Sequence, residues 1–187
     1  MHGPGDYGKI AISPNFASDG QLLLAQEGEV WKSTDRGNTW QPVGDFTRIY
    51  GFGSSFRRMV RFDPVDASKI WISDVRGLWF SEDGGSTFTE RNSGILRNDL
   101  DPRWSDFVKN LDGTIYLARP GRLFKSTNNG ATWEFVPFFE RKSPYSVALD
   151  PRDPNRIYVG SAGYSGIYKS VDGGATWSQS LYGCDRI

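Results

Sequence analysis

Four copies of one eight-residue pattern constrain this chain more than any other feature: STDRGNTW (33–40), SEDGGSTF (81–88), STNNGATW (126–133) and SVDGGATW (170–177). The shared pattern is Ser-x-Asp-x-Gly-x-Thr-aromatic, with Asn128 in place of Asp in the third copy. Successive serines lie 48, 45 and 44 residues apart. One match to so short a pattern is weak evidence. Four at near-constant spacing define a structural repeat.

The flanks repeat too. A glycine-opened run precedes each copy: GEVWKS, GLWFS, GRLFKS and GIYKS. Before it lies a second apolar run: QLLLA (21–25), KIWIS (69–73), TIYLA (114–118) and RIYVG (156–160). Earlier still come IAIS (10–13), MVRFD (59–63), DFVKN (106–110) and SVALD (146–150). Alternating runs bounded by Gly, Pro, Asn and Asp are the signature of strands, and no window holds a helical period over 11 or more residues. Each unit therefore reads as strand A, turn, strand B, loop, strand C, box turn and strand D, with strand D beginning at the box aromatic. Four-stranded units of roughly 40–45 residues have the size of propeller blades. The predicted fold is an all-β β-propeller of four four-stranded antiparallel blades. They are placed at about 8–44, 57–91, 105–137 and 145–180, within one propeller domain or segment over 1–187.

The box chemistry explains its residue types. Asp35, Asp83, Asn128 and Asp172 can accept hydrogen bonds from backbone N–H groups of their own turn. Gly37, Gly85, Gly130 and Gly174 can take positive φ at little steric cost. The hydroxyls of Ser33, Ser81, Ser126 and Ser170, and of Thr39, Thr87, Thr132 and Thr176, can tie the two sides of the turn together. Trp40, Phe88, Trp133 and Trp177 are expected to fill the gap toward the next blade. This is a structural role, and each box brings at most one carboxylate at its Asp position (the second adds only Glu82), too few for a calcium site.

Several chemistries are set aside by composition. Basic and acidic residues balance at 22 each, without the basic excess of a nucleic-acid binder. One cysteine (Cys184) and one histidine (His2) rule out an internal disulfide, a His/Cys zinc site and Ser–His or Cys–His catalysis. No metal or other cofactor is expected. No apolar run reaches the roughly 20 residues of a membrane span, and residues 1–10 show no signal-peptide core.

The four boxes, with FDPVDASKIWIS (62–73) and LDPRDPNRIYVGSAGYSGIYKSVDGGATW (149–177), resemble the Asp-box (BNR-repeat) β-propellers. That group includes sialidases, xyloglucan-degrading glycoside hydrolases, sortilin-type receptor ectodomains and photosystem II assembly factors. SPNFASDGQLLL (13–24) is similar to repeats of secreted or surface bacterial propellers. The resemblance implies an extracellular, cell-surface or periplasmic protein. Such propellers usually have six or more blades. Four blades here therefore imply a segment of a longer propeller, a small ring, or self-association of copies.

In the family the working site lies on the side opposite the boxes. That side receives 41–56, 92–104 and 138–144 and the B–C loops at 73–77, 118–121 and 160–166. With their margins these segments hold nine of the 15 arginines: Arg48, Arg57, Arg58, Arg76, Arg91, Arg97, Arg103, Arg119 and Arg141. Asp74, Asp99, Asp101 and Asp106 join them, as do Tyr50, Phe52, Trp104 and Tyr164. Surfaces rich in Arg, Tyr and Trp have the composition of binding hot spots; the alternative is that these arginines pair with nearby aspartates and order the loops.

The first functional expectation is a non-catalytic module that binds a protein or polysaccharide through this face. Its binding residues would be Arg48, Tyr50, Arg57, Arg58, Arg76, Arg97, Arg103, Trp104, Arg119 and Tyr164. The alternative is part of a sialidase- or xyloglucanase-like glycoside hydrolase, for which Asp74 and Asp106 are the candidate carboxylates. A sialidase would bring an Arg-Ile-Pro motif, whereas Arg48-Ile49 is followed here by Tyr50. A third possibility is a structural subunit of a surface or membrane-associated assembly.

Overall fold

The structure is a computed structural model that describes residues 9–26, 29–44, 59–74, 77–95, 106–162 and 166–181. The chain forms two compact units, Met1–Arg91 and Asn92–Ile187.

The first unit holds two four-stranded antiparallel sheets. One is β1 (Lys9–Ile12), β2 (Leu22–Gln26), β3 (Glu29–Ser33) and β4 (Gln41–Pro42); the other is β5 (Met59–Phe62), β6 (Ile70–Asp74), β7 (Gly77–Ser81) and β8 (Thr89–Glu90). In each sheet the strands pair in chain order, a simple meander. The second unit repeats this with β9 (Asp106–Lys109), β10 (Ile115–Arg119), β11 (Arg122–Ser126) and β12 (Glu134–Phe135), then β13 (Pro144–Asp150), β14 (Asp153–Ser161), β15 (Gly166–Ser170) and β16 (Ser178–Leu181). The all-β expectation of four four-stranded blades is met. A single helical turn, α1 (Phe16–Asp19), interrupts the first A–B connection. Gly20 closes it at φ 60, donating its N–H to the Phe16 carbonyl.

Burial follows position in the blade. β10 (Ile-Tyr-Leu-Ala-Arg) is buried along its whole length, the mark of a strand covered on both faces. The outer strands β4, β8 and β12 are two residues long and mostly exposed. Strand D starts one residue after the box aromatic, not on it. In the first and fourth boxes the indole is turned back over its own loop: Trp40 Nε1 donates to the Gly37 carbonyl and Trp177 Nε1 to that of Gly174, each at 3.1 Å.

Each unit has its core between its two blades. In the first, Leu23, Ala25, Val30 and Val43 of the leading blade meet Val60, Phe62, Ile70 and Ile72 of the following one, with Trp79 and Phe88 packed against them. In the second, Tyr116, Ala118 and Leu123 meet Val147, Ile157, Val159 and Tyr168, and Phe139 joins them from the connection between blades. Trp177 packs edge-on to Phe139, with ring centroids 4.8 Å apart. Phe88 and Trp177 thus face the preceding blade, which corrects the expectation that they fill the gap toward the next one. The physical reason is that the box glycine itself lies against the preceding blade, Gly85 beside Val43 and Gly174 beside Tyr116, so the turn's last side chain falls on that side.

Candidate functional site

The two ends of the blades differ in chemistry. At one end lie the boxes. In the first, Ser33 Oγ donates to Asp35 Oδ1 at 2.8 Å and accepts the Gly37 N–H at 2.9 Å. The Thr39 N–H donates to Asp35 Oδ1 at 2.8 Å, and the Thr39 hydroxyl donates to Oδ2 at 2.6 Å. The second and fourth boxes repeat this network on Asp83 and Asp172. In the third, the amide reverses one bond: Asn128 Nδ2 donates to Thr132 Oγ1 at 2.8 Å, while Oδ1 still accepts the Thr132 N–H. Two consecutive residues in each box have positive φ, for example Gly84 (72°) with Gly85 (99°). The first of these, Arg36, Gly84, Asn129 or Gly173, was not apparent from the eight-residue pattern.

The first, second and fourth boxes are each anchored to the A–B turn of their own blade, which places the two turns at one end. The Arg36 N–H donates to the Gly20 carbonyl, that of Gly84 to Ser68 and that of Gly173 to Asn155, at 2.8–3.1 Å. Arg36 Nη2 also reaches the Ala17 carbonyl at 2.9 Å. Both oxygens of each box carboxylate are thus engaged by groups of the same turn. Among the described residues no group of three or more His, Cys, Asp or Glu is placed to hold a metal ion.

The bonds stabilise the ionised carboxylates. The Thr39 hydroxyl and N–H, with Ser33, lower the Asp35 pKa to about 2, and the Thr176 hydroxyl and N–H do the same for Asp172. The Thr87 N–H and hydroxyl hold Asp83 well below the usual range. A carboxyl whose folded pKa is depressed stabilises the fold above its unfolded pKa of roughly 4 and loses that contribution as pH falls. For Asp35 and Asp172 the loss runs from about pH 4 down through about pH 2. We expect thermal stability to drop across this window, and the drop to be shallower in a D35N/D172N variant. Asn128 shows that an amide keeps the turn. Equal slopes in melts at stepped pH would remove these carboxylates as its source.

The opposite end carries the B–C loops and the connections between blades. Of the candidate binding residues, Arg48, Tyr50, Arg57, Arg58, Arg76, Arg97, Arg103, Trp104 and Tyr164 lie outside the described residues. Arg119 is described, and it is fully buried at the end of β10, opposite Arg122. Its place on a binding surface is corrected, because β10 is buried along its whole length, covered on both faces. Asp74 ends β6 opposite Gly77, at the start of a B–C loop. Asp106 opens β9, and its Oδ2 accepts the Val147 N–H at 3.2 Å. Val147 lies on an edge strand of the next blade, so this carboxylate satisfies a ladder donor that β14 does not. Asp74 and Asp106 belong to different units.

Around this end of the second unit, cations lie over aromatic rings. Lys142 Nζ sits 4.5 Å from the Phe138 centroid, and the Arg122 guanidinium 5.1 Å from that of Phe135. Phe138 also meets Tyr168 edge-on at 5.4 Å. In the first unit Arg91 stacks over Phe80 at 5.2 Å. Phe80 is buried, whereas the half-exposed rings of Phe135 and Phe138 offer apolar faces beside hydrogen-bond donors. Sequence reading missed Phe135 and Phe138, whose exposure depends on where the connection to the next blade folds.

No protein-family model matches the chain. A GH74 enzyme of Niastella koreensis superposes with a TM-score of 0.72 at 25% identity, over 91% of this chain and 29% of the enzyme. These are propeller blades. A xyloglucanase of Hypocrea jecorina is 37% identical over 69% of this chain and 18% of the enzyme. One from a Paenibacillus species is 29% identical over 81% of this chain and 13% of its own length. The chain therefore spans less than a quarter of these curated relatives. No helix among the described residues is long and apolar enough to cross a membrane.

Proposed function

We propose that these blades form part of a polysaccharide-acting propeller of the xyloglucanase kind, a glycoside hydrolase acting on a branched β-glucan outside the cell. The observation that carries this reading is sequence similarity to proteins named xyloglucanases across most of the chain, up to 37% identity. Similarity confined to the boxes would support only the turn. Here it extends over 151 aligned residues.

The end of the blades opposite the boxes fits a glycan surface. In the second unit it carries half-exposed Phe138 and Phe135 beside Lys142 and Arg122, with Asp106 at the start of β9; Asp74 ends β6 at the corresponding end of its own blade. Glycoside hydrolysis needs two carboxyl groups across the scissile bond. Asp74 and Asp106 are the candidates, and Asp106 would be oriented by the Val147 N–H. Arg48, Tyr50, Arg57, Arg58, Arg76, Arg97, Arg103, Trp104 and Tyr164 are proposed to contact the polymer or order the loops around it.

The test measures two things on the purified chain: retardation in gels containing xyloglucan or an unbranched cellulose derivative, and release of reducing ends from xyloglucan. Selective retardation with turnover that D74N or D106N removes supports the proposal. Retardation without turnover would establish a binding module in place of a hydrolase. A chain that neither binds nor cuts xyloglucan would refute both.

A further inference from the structure

In both units a lysine of the leading blade reaches the box of the following one. Lys125 Nζ on β11 donates to the Gly173 carbonyl at 2.7 Å, and Lys32 Nζ on β3 donates to the Gly84 carbonyl at 3.1 Å. The residue beside each lysine differs. Tyr116 lies opposite Lys125 in register, and its hydroxyl gives the Gly173 carbonyl a second hydrogen bond at 2.7 Å. Opposite Lys32 stands Leu23, which has no hydroxyl to give. A carbonyl oxygen carries two lone pairs and an ammonium three donors. Among the described residues the Gly84 carbonyl accepts from Lys32 alone, and that is the lysine's one hydrogen bond. Both groups have capacity left.

A cavity of about 230 Å³ opens at this place, walled by β3 and β4 of the first blade and by the box of the second. It is smaller than the roughly 300–1,000 Å³ of sites for drug-sized ligands, and suits one ring better than a chain. Pro42 and Val43 supply an apolar side. Around it stand donors and acceptors. The Thr34 hydroxyl and the Gln41 amide have no partner among the described residues. The Thr39 hydroxyl is already donated to Asp35, and that of Ser86 to the Asp83 carbonyl, so both are left to accept.

The electrostatics favour an uncharged ligand. Burial pushes the Lys32 ammonium down from its ordinary range, and Asp19 works the other way. The ionised Asp35 carboxylate lies directly behind Thr39. An anion here would be repelled by Asp19, Asp35 and the Gly84 carbonyl together. A neutral hydroxyl both donates and accepts, and so can answer each group on the wall.

We propose that this groove between the first two blades binds a single neutral sugar ring, at the box end and apart from the loop-end face. One sugar hydroxyl plays the part that the Tyr116 hydroxyl plays in the second unit, donating to the Gly84 carbonyl, and it accepts from Lys32. The other hydroxyls meet Thr34, Thr39, Gln41 and Ser86, while the ring lies against Pro42. The site stands independently of the polysaccharide reading above, because a free monosaccharide is enough to fill it.

The test is a titration of the full chain with D-glucose, D-xylose, D-galactose and D-glucuronate, followed by backbone amide shifts in NMR spectra. At least one neutral sugar is expected to bind saturably at roughly millimolar concentration, the scale open to a ligand of about a dozen heavy atoms. The shifts should centre on Thr39–Gln41 and Gly84–Ser86, and glucuronate should bind roughly tenfold more weakly. Leu23→Tyr places a phenol where the second unit has one and should weaken binding roughly tenfold or more. Leu23 is buried, so a Leu23→Tyr chain that melts low is replaced by Q41E/S86A, which copies Glu134 and Ala175 at exposed positions. That variant should lose roughly fivefold or more. D106N, at the other end of a blade, should bind the sugar as the parent does, so failure of the xyloglucan assay leaves this result untouched. The proposal is overturned if no neutral sugar saturates, or if the shifts centre elsewhere. Binding that persists in the groove variants, or glucuronate binding as tightly as the neutral sugars, overturns it too.

Discussion

Phe139→Ala is expected to lower the stability of the second unit by about 3–5 kcal/mol, the range for removing a buried phenyl ring from a packed core. Phe139 is fully buried although it lies in a short 3-10 turn (Pro137–Phe139) between two blades. Its ring meets Phe138, Tyr168 and Trp177 edge-on, with centroids 5.2, 5.6 and 4.8 Å away. Alanine removes the central member and leaves a cavity that the two strands and the box indole close only in part. For a unit of this size the melting temperature should fall by roughly 12–40 °C. Differential scanning calorimetry measures it, with Phe138→Ala, whose ring is half-exposed, expected to cost less. A shift of only a few degrees would show that Phe139 is not the centre of this core.

The second large effect is steric. Gly94→Ala is expected to cost about 2–5 kcal/mol, made of about 1–2 for a left-handed backbone and about 1–3 for forced overpacking. Gly94 has φ +96°, and a Cβ there would lie 2.3 Å from the Trp133 carbonyl oxygen. The neighbouring Ser93 carbonyl accepts the Trp133 N–H at 2.8 Å, so the two backbones are already locked together. Gly121→Ala separates the two terms. Its φ is +85°, and no atom lies within 4 Å of the added methyl group. It should therefore show the backbone cost alone. Chemical denaturation of the two variants gives the difference, and equal losses would mean that the 93–94 segment moves aside freely.

Much of the fold was legible in the chain. The box bonds run from residue i to i+2 and i+4, as from Ser33 to Asp35 and from Asp35 to Thr39, so the whole turn is specified within eight residues. The same is true of the strands, whose apolar runs recur before each box. Asp106 could be picked out as a carboxylate near the loop end, but its partner Val147 lies 41 residues away. The proposed glycan face was the least legible part, because most of its arginines sit in segments without period or motif.

What the amino-acid order alone determined was therefore the local repeat: four hairpins tied by short polar side chains, each bearing strands of blade length. Contacts between blades were decided only in three dimensions. Lys32 meets a carbonyl 52 residues on, Phe139 leaves a polar-looking loop for the core, and Arg119 is buried because its strand is covered on both sides. The reason is physical range. A turn closes on its own neighbours, whereas burial depends on partners that the chain reaches only some 29 to 52 residues further on.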